Sequence, residues 1–595
     1  MTKNSLSLDV VQTRSAPPVS PATQGLLRRR LVSRTGPGWG WALVVLIVAG
    51  LVILPVAVVA ASLLVPTPQI WTHLWATRLP RMLTTTLALM LAVAVGTVTL
   101  GGLLAWLVTA YRFPGRKVFA WLLVLPLAMP AYVLGFVFLS LLSYAGPVQS
   151  AWRMVFGSDA WFPSVRSLSG AAIVLSLTLY PYVYLLARVA LREQGATTYD
   201  AARTLGLGRI AAARRVVLPL ARPSLAAGLM LVMMETLTDF ASVQYFNVET
   251  VSVGVYRVWK GMFDRAAATE LAALVLLFAL AVIVLERRLR GRARYVQQEA
   301  GGRGLEVSAL RGWRAWGATT TCMLVVGVAF LVPLVQLLLW VEWNGVRGLA
   351  GSFDGRYLHF LADSLRLAAA TAACCVTLAA LVTNGTRLQG GRFTRSAAHL
   401  TTIGYVVPGP VVAIGVLVIM AAADRVVGGL SLLGGSLLVT GSLLGLVYAY
   451  VVRFMALAYG GVEASLQKVS PSVTLAARSL GASSARILRH VHLPMIRSGV
   501  GVAFVLVLLD AMKELPIVLL LRPFGFETLS VWVWQLASES RWEGAGLPAL
   551  TIVAAALVPV AILVRATEPS PSRETRGTVA LTTAPPAPQR LEVVP

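Results

Sequence analysis

Charged side chains are scarce in this 595-residue chain, in which Asp, Glu, Lys and Arg fill 13% of the positions and hydrophobic residues fill 57%. Soluble domains carry about 25% charged residues, so this chain lacks the polar side chains needed to cover a soluble globule. The composition therefore excludes an ordinary soluble protein and predicts an integral membrane protein.

Cysteine and histidine are also rare, with three Cys and five His in the whole chain. Cys322, Cys374 and Cys375 all lie inside apolar runs, which argues against a disulfide framework or a thiolate metal site. His490 and His492 are two residues apart and would point to different sides of a helix. We therefore predict no metal site and no catalytic residue.

A phosphate-binding loop of the form Gly-x4-Gly-Lys-[Ser/Thr] is missing. That loop holds nucleotide phosphates with its backbone N–H groups, so this chain is not expected to bind ATP by that device or to carry a cofactor. The formal charge of +26 would suggest nucleic acid in a soluble protein. In a membrane protein, Lys and Arg instead collect in cytoplasmic loops, and no nucleic-acid partner is predicted.

Long apolar runs predict twelve transmembrane helices, because a helix satisfies its own backbone in lipid and needs about 20 residues to cross it. One of these spans, 498–521, is interrupted by Asp510, Lys513 and Glu514. Lys and Arg are most frequent in the loops 188–222 and 286–316, which places both termini in the cytoplasm. Four other predicted spans are tested below: 118–142, 223–243, 400–423 and 426–452.

An internal repeat follows the fourth and the tenth predicted spans. The first copy reads Asp200-Ala201-Ala202, then Gly206, then Leu218-Pro219. The second copy reads Leu475-Ala476-Ala477, then Gly481, then Leu493-Pro494, with identical spacing. A chance match of this length is negligible, so the chain is predicted to consist of two homologous six-helix halves.

The predicted organisation follows from this repeat and from the composition. An all-α membrane protein is expected, and its polar tail 566–595 is expected to be disordered. The segments are a cytoplasmic N-terminal tail 1–40, a first half 41–290, a basic cytoplasmic linker 291–314, a second half 315–565 and the cytoplasmic tail 566–595.

Each repeated loop has the sequence of a short helix followed by a turn. The residues around Ala201 and Ala202 favour helix, and Gly206 can end it because glycine tolerates positive φ. The segment ending at Leu218 and Pro219 then leads into the next span. We interpret both copies as docking elements on the cytoplasmic surface; the alternative is a loop whose arginines merely set the topology.

Acidic residues recur at the same distance from each loop. Glu235 and Asp239 follow Pro219 by 16 and 20 residues, and Asp510 and Glu514 follow Pro494 in the same way. Residues four apart share a helical face, and ionisable groups at bilayer depth usually face a cavity or a partner. We predict that these four acids line a translocation pathway, with Lys513 neutralising one carboxylate. The alternative is that they form interhelical pairs that hold the spans together.

The repeated loop resembles the EAA loop of ABC importer permeases, in which a Glu-Ala-Ala, Gly and Ile-x-Leu-Pro series forms a helix that couples to an ATPase. The resemblance implies the type I ABC importer permease fold over about 80–290 and 362–565, in a non-catalytic subunit of the bacterial inner membrane. It implies two copies of an ABC ATPase subunit, which would use ATP and Mg, and a periplasmic substrate-binding protein. Asp200 replaces the usual Glu in the first copy and Leu475 replaces it in the second, so the two docking sites are expected to be unequal.

Residues 234–240 (Met-Glu-Thr-Leu-Thr-Asp-Phe) and 512–516 (Met-Lys-Glu-Leu-Pro) resemble, more narrowly, the fused permeases of ferric iron importers. This resemblance implies ferric iron as the cargo; similar permeases serve thiamine, and related ones serve polyamines or phosphonates. The alternative from another class is a twelve-helix secondary transporter driven by an ion gradient, whose acids would be proton or sodium relays. Neither that transporter nor a structural membrane protein explains the two repeated loops.

Overall fold

The computed structural model describes residues 39–64, 68–157, 161–208, 211, 215, 218–259, 265–290, 308–352, 355–389, 391–429 and 440–566. The predicted tails, apart from residues 39, 40 and 566, and most of the predicted linker lie outside these residues. So do the side chains of Asp200, Ala201 and Ala202.

The first half consists of helices, as its apolar runs require. Proline begins or interrupts several of them, because it lacks a backbone N–H donor. In chain order the α-helices are Trp39–Ser62, Pro68–Thr77, Leu79–Ala110, Arg116–Leu122, Ala131–Leu142, Pro147–Phe156, Leu168–Thr204, Leu218–Thr238, Ala241–Tyr245, Val251–Arg257 and Arg265–Arg290, with a 3-10 turn at Leu125–Ala128.

The second half has a similar series of long helices and differs in some of its short ones. Its α-helices are Trp313–Val326, Val332–Ser352, Gly355–Gln389, Arg392–Leu400, Gly409–Gly429, Leu443–Gln467, Pro471–Ser479, Ser484–Ile487, Leu493–Lys513, Pro516–Leu521, Leu529–Ser538 and Trp542–Ala566. Short π-helical turns at Gly327–Leu331 and Leu488–His492 and a 3-10 turn at Ile403–Tyr405 connect some of them. The strands Tyr111–Arg112 and Ser308–Ala309 pair in parallel.

Eleven helical stretches of the described chain, some of them made of consecutive helices named above, are long and apolar enough to cross a membrane. A further long helix, Leu218–Thr238, is not among these eleven and contains Arg222 and Glu235. The prediction of twelve spans thus corresponds to eleven such helices together with this charged one.

Proline divides one predicted span. The apolar run 118–142 is not a single helix but becomes Arg116–Leu122, a 3-10 turn at Leu125–Ala128 and Ala131–Leu142. Pro126 lies inside the turn, and Pro130 precedes the last helix. Because proline removes a backbone donor and restricts the residue before it, an apolar run with two prolines breaks here.

Two other predicted spans have wrong boundaries. The run 400–423 begins its helix only at Gly409, directly after Pro408. The run 426–452 is not one span, because the helix from Gly409 ends at Gly429 and the next is Leu443–Gln467. The predicted span ended at residue 452, directly before Arg453. In the structure this arginine is buried within the helix Leu443–Gln467.

The same hydrogen bonds recur in the two halves. Thr86 Oγ1 accepts a hydrogen bond from Val251 N at 3.0 Å, and Ser364 Oγ accepts one from Leu529 N at 2.8 Å. The helices that start at Val251 and Leu529 are both capped by a threonine side chain, Thr250 or Thr528. This matching detail supports the homology of the halves at the level of individual side chains.

The first long helix packs against the opposite half of the chain. Tyr448 Oη donates a hydrogen bond to the carbonyl oxygen of Leu51 at 2.6 Å. A side-chain carbon at Gly415 would lie 2.3 Å from the carbonyl oxygen of Pro55, so only glycine permits this close approach. The first half therefore contributes a helix to the packing of the second half.

Candidate functional site

A cavity of about 140 Å³ lies between the two halves and brings together all five residues predicted for the pathway. Glu235 and Asp239 come from the first half, and Asp510, Lys513 and Glu514 come from the second. The two pairs of acids, far apart in the sequence, therefore face one space.

A helix break positions the second acid of each pair. Leu218–Thr238 ends just before Asp239, whose Oδ1 accepts a hydrogen bond from Ser242 N at 2.9 Å. The predicted span 223–243 is therefore interrupted, because this carboxylate satisfies a donor in the first turn of the next short helix.

The corresponding break in the second half divides the predicted span 498–521. Leu493–Lys513 ends before Glu514, and Pro516 begins the next short helix. Ser530 Oγ donates a hydrogen bond to the Glu514 carbonyl oxygen at 2.9 Å. Proline cannot continue the helical hydrogen-bond ladder, which explains why the chain turns at this acid.

Arg453 is the buried cation of the cavity, and its residue is only 3% exposed. Its Nη1 donates hydrogen bonds to the carbonyl oxygens of Tyr405 at 3.0 Å and Val407 at 2.6 Å. Its guanidinium carbon lies 5.4 Å from the centre of the Tyr405 ring. These contacts fix the arginine and the chain segment that leads to the helix starting at Gly409.

Two ion pairs link four of the charged residues. Lys513 Nζ lies 2.7 Å from Asp510 Oδ1, within one helix. Arg453 Nη2 lies 3.7 Å from Glu235 Oε1 and joins the two halves. The alternative role that we considered for the acids, interhelical pairing, is thus observed for Glu235, whereas Asp510 pairs within its own helix.

Sequence reasoning missed four residues that line this cavity: Arg453, Tyr132, Tyr182 and Tyr405. Arg453 carried a usable signal, because a lone arginine inside an otherwise apolar stretch normally faces a bundle interior. The tyrosines carried none, since aromatic residues are common throughout the spans.

Metal-ligating side chains form no cluster of three or more in the described part of the chain, the cavity included. No group of three or more His, Cys, Asp or Glu that could hold a metal ion occurs among those residues. The three cysteines are free thiols, and His492 is buried.

The second repeated loop adopts the predicted helix and turn. Ala476 and Ala477 lie in Pro471–Ser479, and Gly481 follows with φ +76°. The next long helix starts at Leu493, with Pro494 in its first turn. A left-handed φ suits glycine, which explains why the helix ends at Gly481.

The first loop shares the turn but not the separate short helix. Gly206 has φ +86°, and Leu218 and Pro219 again open the following helix. The helix before this turn, however, runs without a break from Leu168 to Thr204. The prediction of a separate short helix is therefore wrong for this copy. Its sequence has Ala196 at the position of Pro471, and alanine does not interrupt a helix.

Exposed leucines precede both turn glycines. Leu205 is 84% exposed and Leu480 is 87% exposed. Leu475, at the position where the first copy has Asp200, is 59% exposed. Sequence analysis did not select the first two residues, although the Leu-Gly pair in both copies was the signal.

A buried histidine anchors the second loop. His492 Nδ1 lies 2.8 Å from Asn384 Oδ1, and its Nε2 lies 3.0 Å from Thr474 Oγ1. Arg387 Nη1 and Nη2 donate to the carbonyl oxygens of Leu466 and Val469, each at 2.5 Å. The loop is thus fastened to the end of the helix Gly355–Gln389 by side chains that the sequence reasoning did not identify.

Comparison with known proteins finds the same family in both halves of the chain. Residues 97–295 and 376–573, together about two thirds of the chain, match the family described as "binding-protein-dependent transport system inner membrane component". The Fe(3+)-transport system permease protein FbpB 2 of Haemophilus influenzae is 24% identical over 492 residues, which cover 82% of this chain and 90% of that protein.

Two further relatives cover smaller parts. The sulfate transport system permease protein CysT of Salmonella typhimurium is 31% identical over 198 residues, which cover 32% of this chain and 69% of the relative. The putative 2-aminoethylphosphonate transport system permease protein PhnV of the same species is 28% identical over 258 residues, which cover 42% of this chain and 91% of the relative.

Proposed function

Because the chain belongs to the family of binding-protein-dependent transport system inner membrane components, we propose that it is the permease subunit of an ATP-driven ABC importer for ferric iron. Both halves of the permease are fused in one chain. The observation that carries the proposal is the cavity in which acids from the two halves meet.

The cavity suits a pathway for a cation. Four acids and two basic residues line it, so its formal charge is negative when all six groups are ionised. A helix break lies beside each of Asp239 and Glu514, and both of these residues line the cavity.

Each repeated loop is connected to this cavity by one helix. Glu235 and Asp510 each follow the loop proline by 16 residues, which corresponds to about 24 Å of helix. A rigid helix of this length transmits a displacement of the loop to the acid at its other end. This connection supports the assignment of both loops as ATPase-coupling elements.

Two ATPase subunits, which bind ATP and Mg, would dock on the cytoplasmic loops. The exposed side chains of Leu205 and Leu480 offer an apolar contact in both copies. In the second copy Leu475 cannot form the ion pair available to Asp200, so the two docking sites are unequal in charge. A periplasmic binding protein would deliver the cargo at the opposite end, and both termini would lie in the cytoplasm.

Ferric iron is favoured by the acidic side chains of the cavity and by one relative. The relative that aligns with 82% of this chain is named for Fe(3+) transport. The cavity of about 140 Å³ exceeds the roughly 10–15 Å³ that holds one water molecule, so it has room for a small cation with some of its water. Carboxylate oxygens are ligands that hard metal cations prefer.

ATP hydrolysis tests the cargo directly. The chain and its ATPase are placed in nanodiscs with binding proteins loaded with ferric iron or with thiamine. We expect stimulation by the iron-loaded protein alone. Stimulation by the thiamine-loaded protein would contradict ferric iron as the cargo. The absence of coupling to any ATPase would contradict the importer assignment.

The coupling loops are tested by replacing their glycines. Gly206→Ala and Gly481→Ala each force a side chain into a left-handed φ, at a cost of about 1 kcal/mol. We expect weaker co-purification of the ATPase and lower stimulated hydrolysis. Gly460→Ala is the matched control, because this glycine has a helical backbone and open space around it. An equal effect of all three changes would contradict the coupling role.

A further inference from the structure

The charges of the cavity are not equally compensated. Arg453 lies beside Glu235, and Lys513 lies beside Asp510. These two pairs leave Asp239 and Glu514 as the acids of the cavity without an ion-pair partner among the described residues. They occupy equivalent positions in the repeat, each directly after a long helix ends.

Three oxygen atoms in this cavity lack a protein hydrogen-bond partner in the described part of the chain. They are Asp239 Oδ2, Glu514 Oε1 and the hydroxyl oxygen of Tyr132. Tyr132 is 6% exposed and Glu514 is 9% exposed, so both are more than nine-tenths buried. A buried polar atom without a partner is costly, which indicates that another ligand satisfies these oxygens during the transport cycle.

A glycine packs directly against the buried carboxylate of Glu514. A side-chain carbon at Gly409 would lie 3.1 Å from Glu514 Oε1 and 3.5 Å from Thr238 Cγ2. Thr238 precedes Asp239, so the same glycine borders the helix breaks of both halves. Because Gly409 has no side chain, it adds no further atoms between Glu514 and Thr238.

We propose that Asp239, Glu514 and the hydroxyl group of Tyr132 form a transit site for a hard metal cation, which they bind through oxygen atoms alone. The proposal rests on the cation-importer function given above and names the atoms that meet the cargo. Two carboxylates and one hydroxyl leave part of the coordination sphere to water. Such incomplete coordination suits an ion that must leave as readily as it enters.

The two ion pairs determine how much negative charge remains for the cation. Arg453 and Lys513 neutralise Glu235 and Asp510 and leave two negative charges for the cation. The three proposed donor atoms are all oxygens, which hard metal cations prefer.

Binding of Tb3+ to the full chain in nanodiscs tests the site. Tb3+ is a hard, redox-inert trivalent ion whose emission is sensitised by nearby aromatic rings. We expect saturable sensitised emission, and we expect Asp239→Asn or Glu514→Gln to weaken binding by about tenfold. Tyr132→Phe removes only the hydroxyl oxygen and should weaken binding by a smaller factor.

The matched control removes an ion pair outside the cavity. Glu249→Gln combined with Arg257→Met deletes a pair whose charged atoms lie 2.6 Å apart and leaves the formal charge of the chain unchanged, and its affinity should stay within about threefold of the unmodified chain. Equal affinities in the unmodified, Asp239→Asn and Glu514→Gln chains would overturn the proposal, and so would a tenfold loss in the control. Because this assay needs neither ATPase nor binding protein, its failure is distinct from failure of the importer function.

Discussion

Replacing Arg453 by methionine would reveal how strongly the buried cation holds the two halves together. Methionine fills a similar volume but cannot donate to the carbonyl oxygens of Tyr405 and Val407, which Arg453 contacts at 3.0 and 2.6 Å. Each buried acceptor left unsatisfied costs about 1–3 kcal/mol. Loss of the contact with Glu235 adds less, because that carboxylate side chain is 31% exposed.

We therefore expect Arg453→Met to lower the free energy of unfolding by about 3–5 kcal/mol. The assay is an SDS titration of the purified chain in mixed micelles, followed by far-UV circular dichroism. Arg425→Met is the control, since Arg425 is exposed near the end of the helix Gly409–Gly429 and should change stability by less than about 0.5 kcal/mol.

A double-mutant cycle separates the two contributions of Arg453. Because its Nη2 lies 3.7 Å from Glu235 Oε1, combining Arg453→Met with Glu235→Gln should give a coupling energy of only about 1–2 kcal/mol. Most of the loss would then come from the two carbonyl groups. A decrease in unfolding free energy below about 1 kcal/mol for Arg453→Met would refute the reasoning, since leaving two buried acceptors without a donor costs more than this.

Three further changes test separate parts of the account. His492→Phe keeps a ring but deprives Asn384 and Thr474 of their buried partner, so the unfolding free energy should fall by about 1–3 kcal/mol; an unchanged SDS unfolding midpoint would contradict the anchoring role. Gly409→Ala places a carbon 3.1 Å from Glu514 Oε1, and transport should fall while ATPase co-purification stays unchanged; normal transport would contradict the tight packing. Ser364→Ala removes the acceptor of Leu529 N and should cost about 1 kcal/mol in the same SDS titration, whereas no loss would show that this repeated hydrogen bond is dispensable.

Repeat symmetry made much of the site predictable. Because Glu235 and Asp510 follow their loop prolines at equal distances, two homologous halves were expected to present these acids to a common space. The structure does bring them to one cavity. The turn glycines were equally predictable, since a helix that ends at Gly206 or Gly481 needs a residue that accepts positive φ.

Features that depend on long-range partners could not be predicted. Arg453 interrupts an apolar run, and only its contacts with Tyr405, Val407 and Glu235 show why a cation is tolerated there. Composition likewise could not indicate that His492 binds Asn384, which lies 108 residues earlier. Helix ends at prolines were missed because hydropathy alone does not register a missing backbone donor.

Uptake into proteoliposomes tests the central claim most directly. The vesicles contain this chain with its ATPase subunits, ATP is enclosed on the ATPase side, and a binding protein loaded with radiolabelled ferric iron is added on the other side. The account predicts iron accumulation that requires ATP, the binding protein and intact loop glycines. Accumulation that proceeds without ATP but collapses with the ion gradient would contradict it and establish a secondary transporter instead.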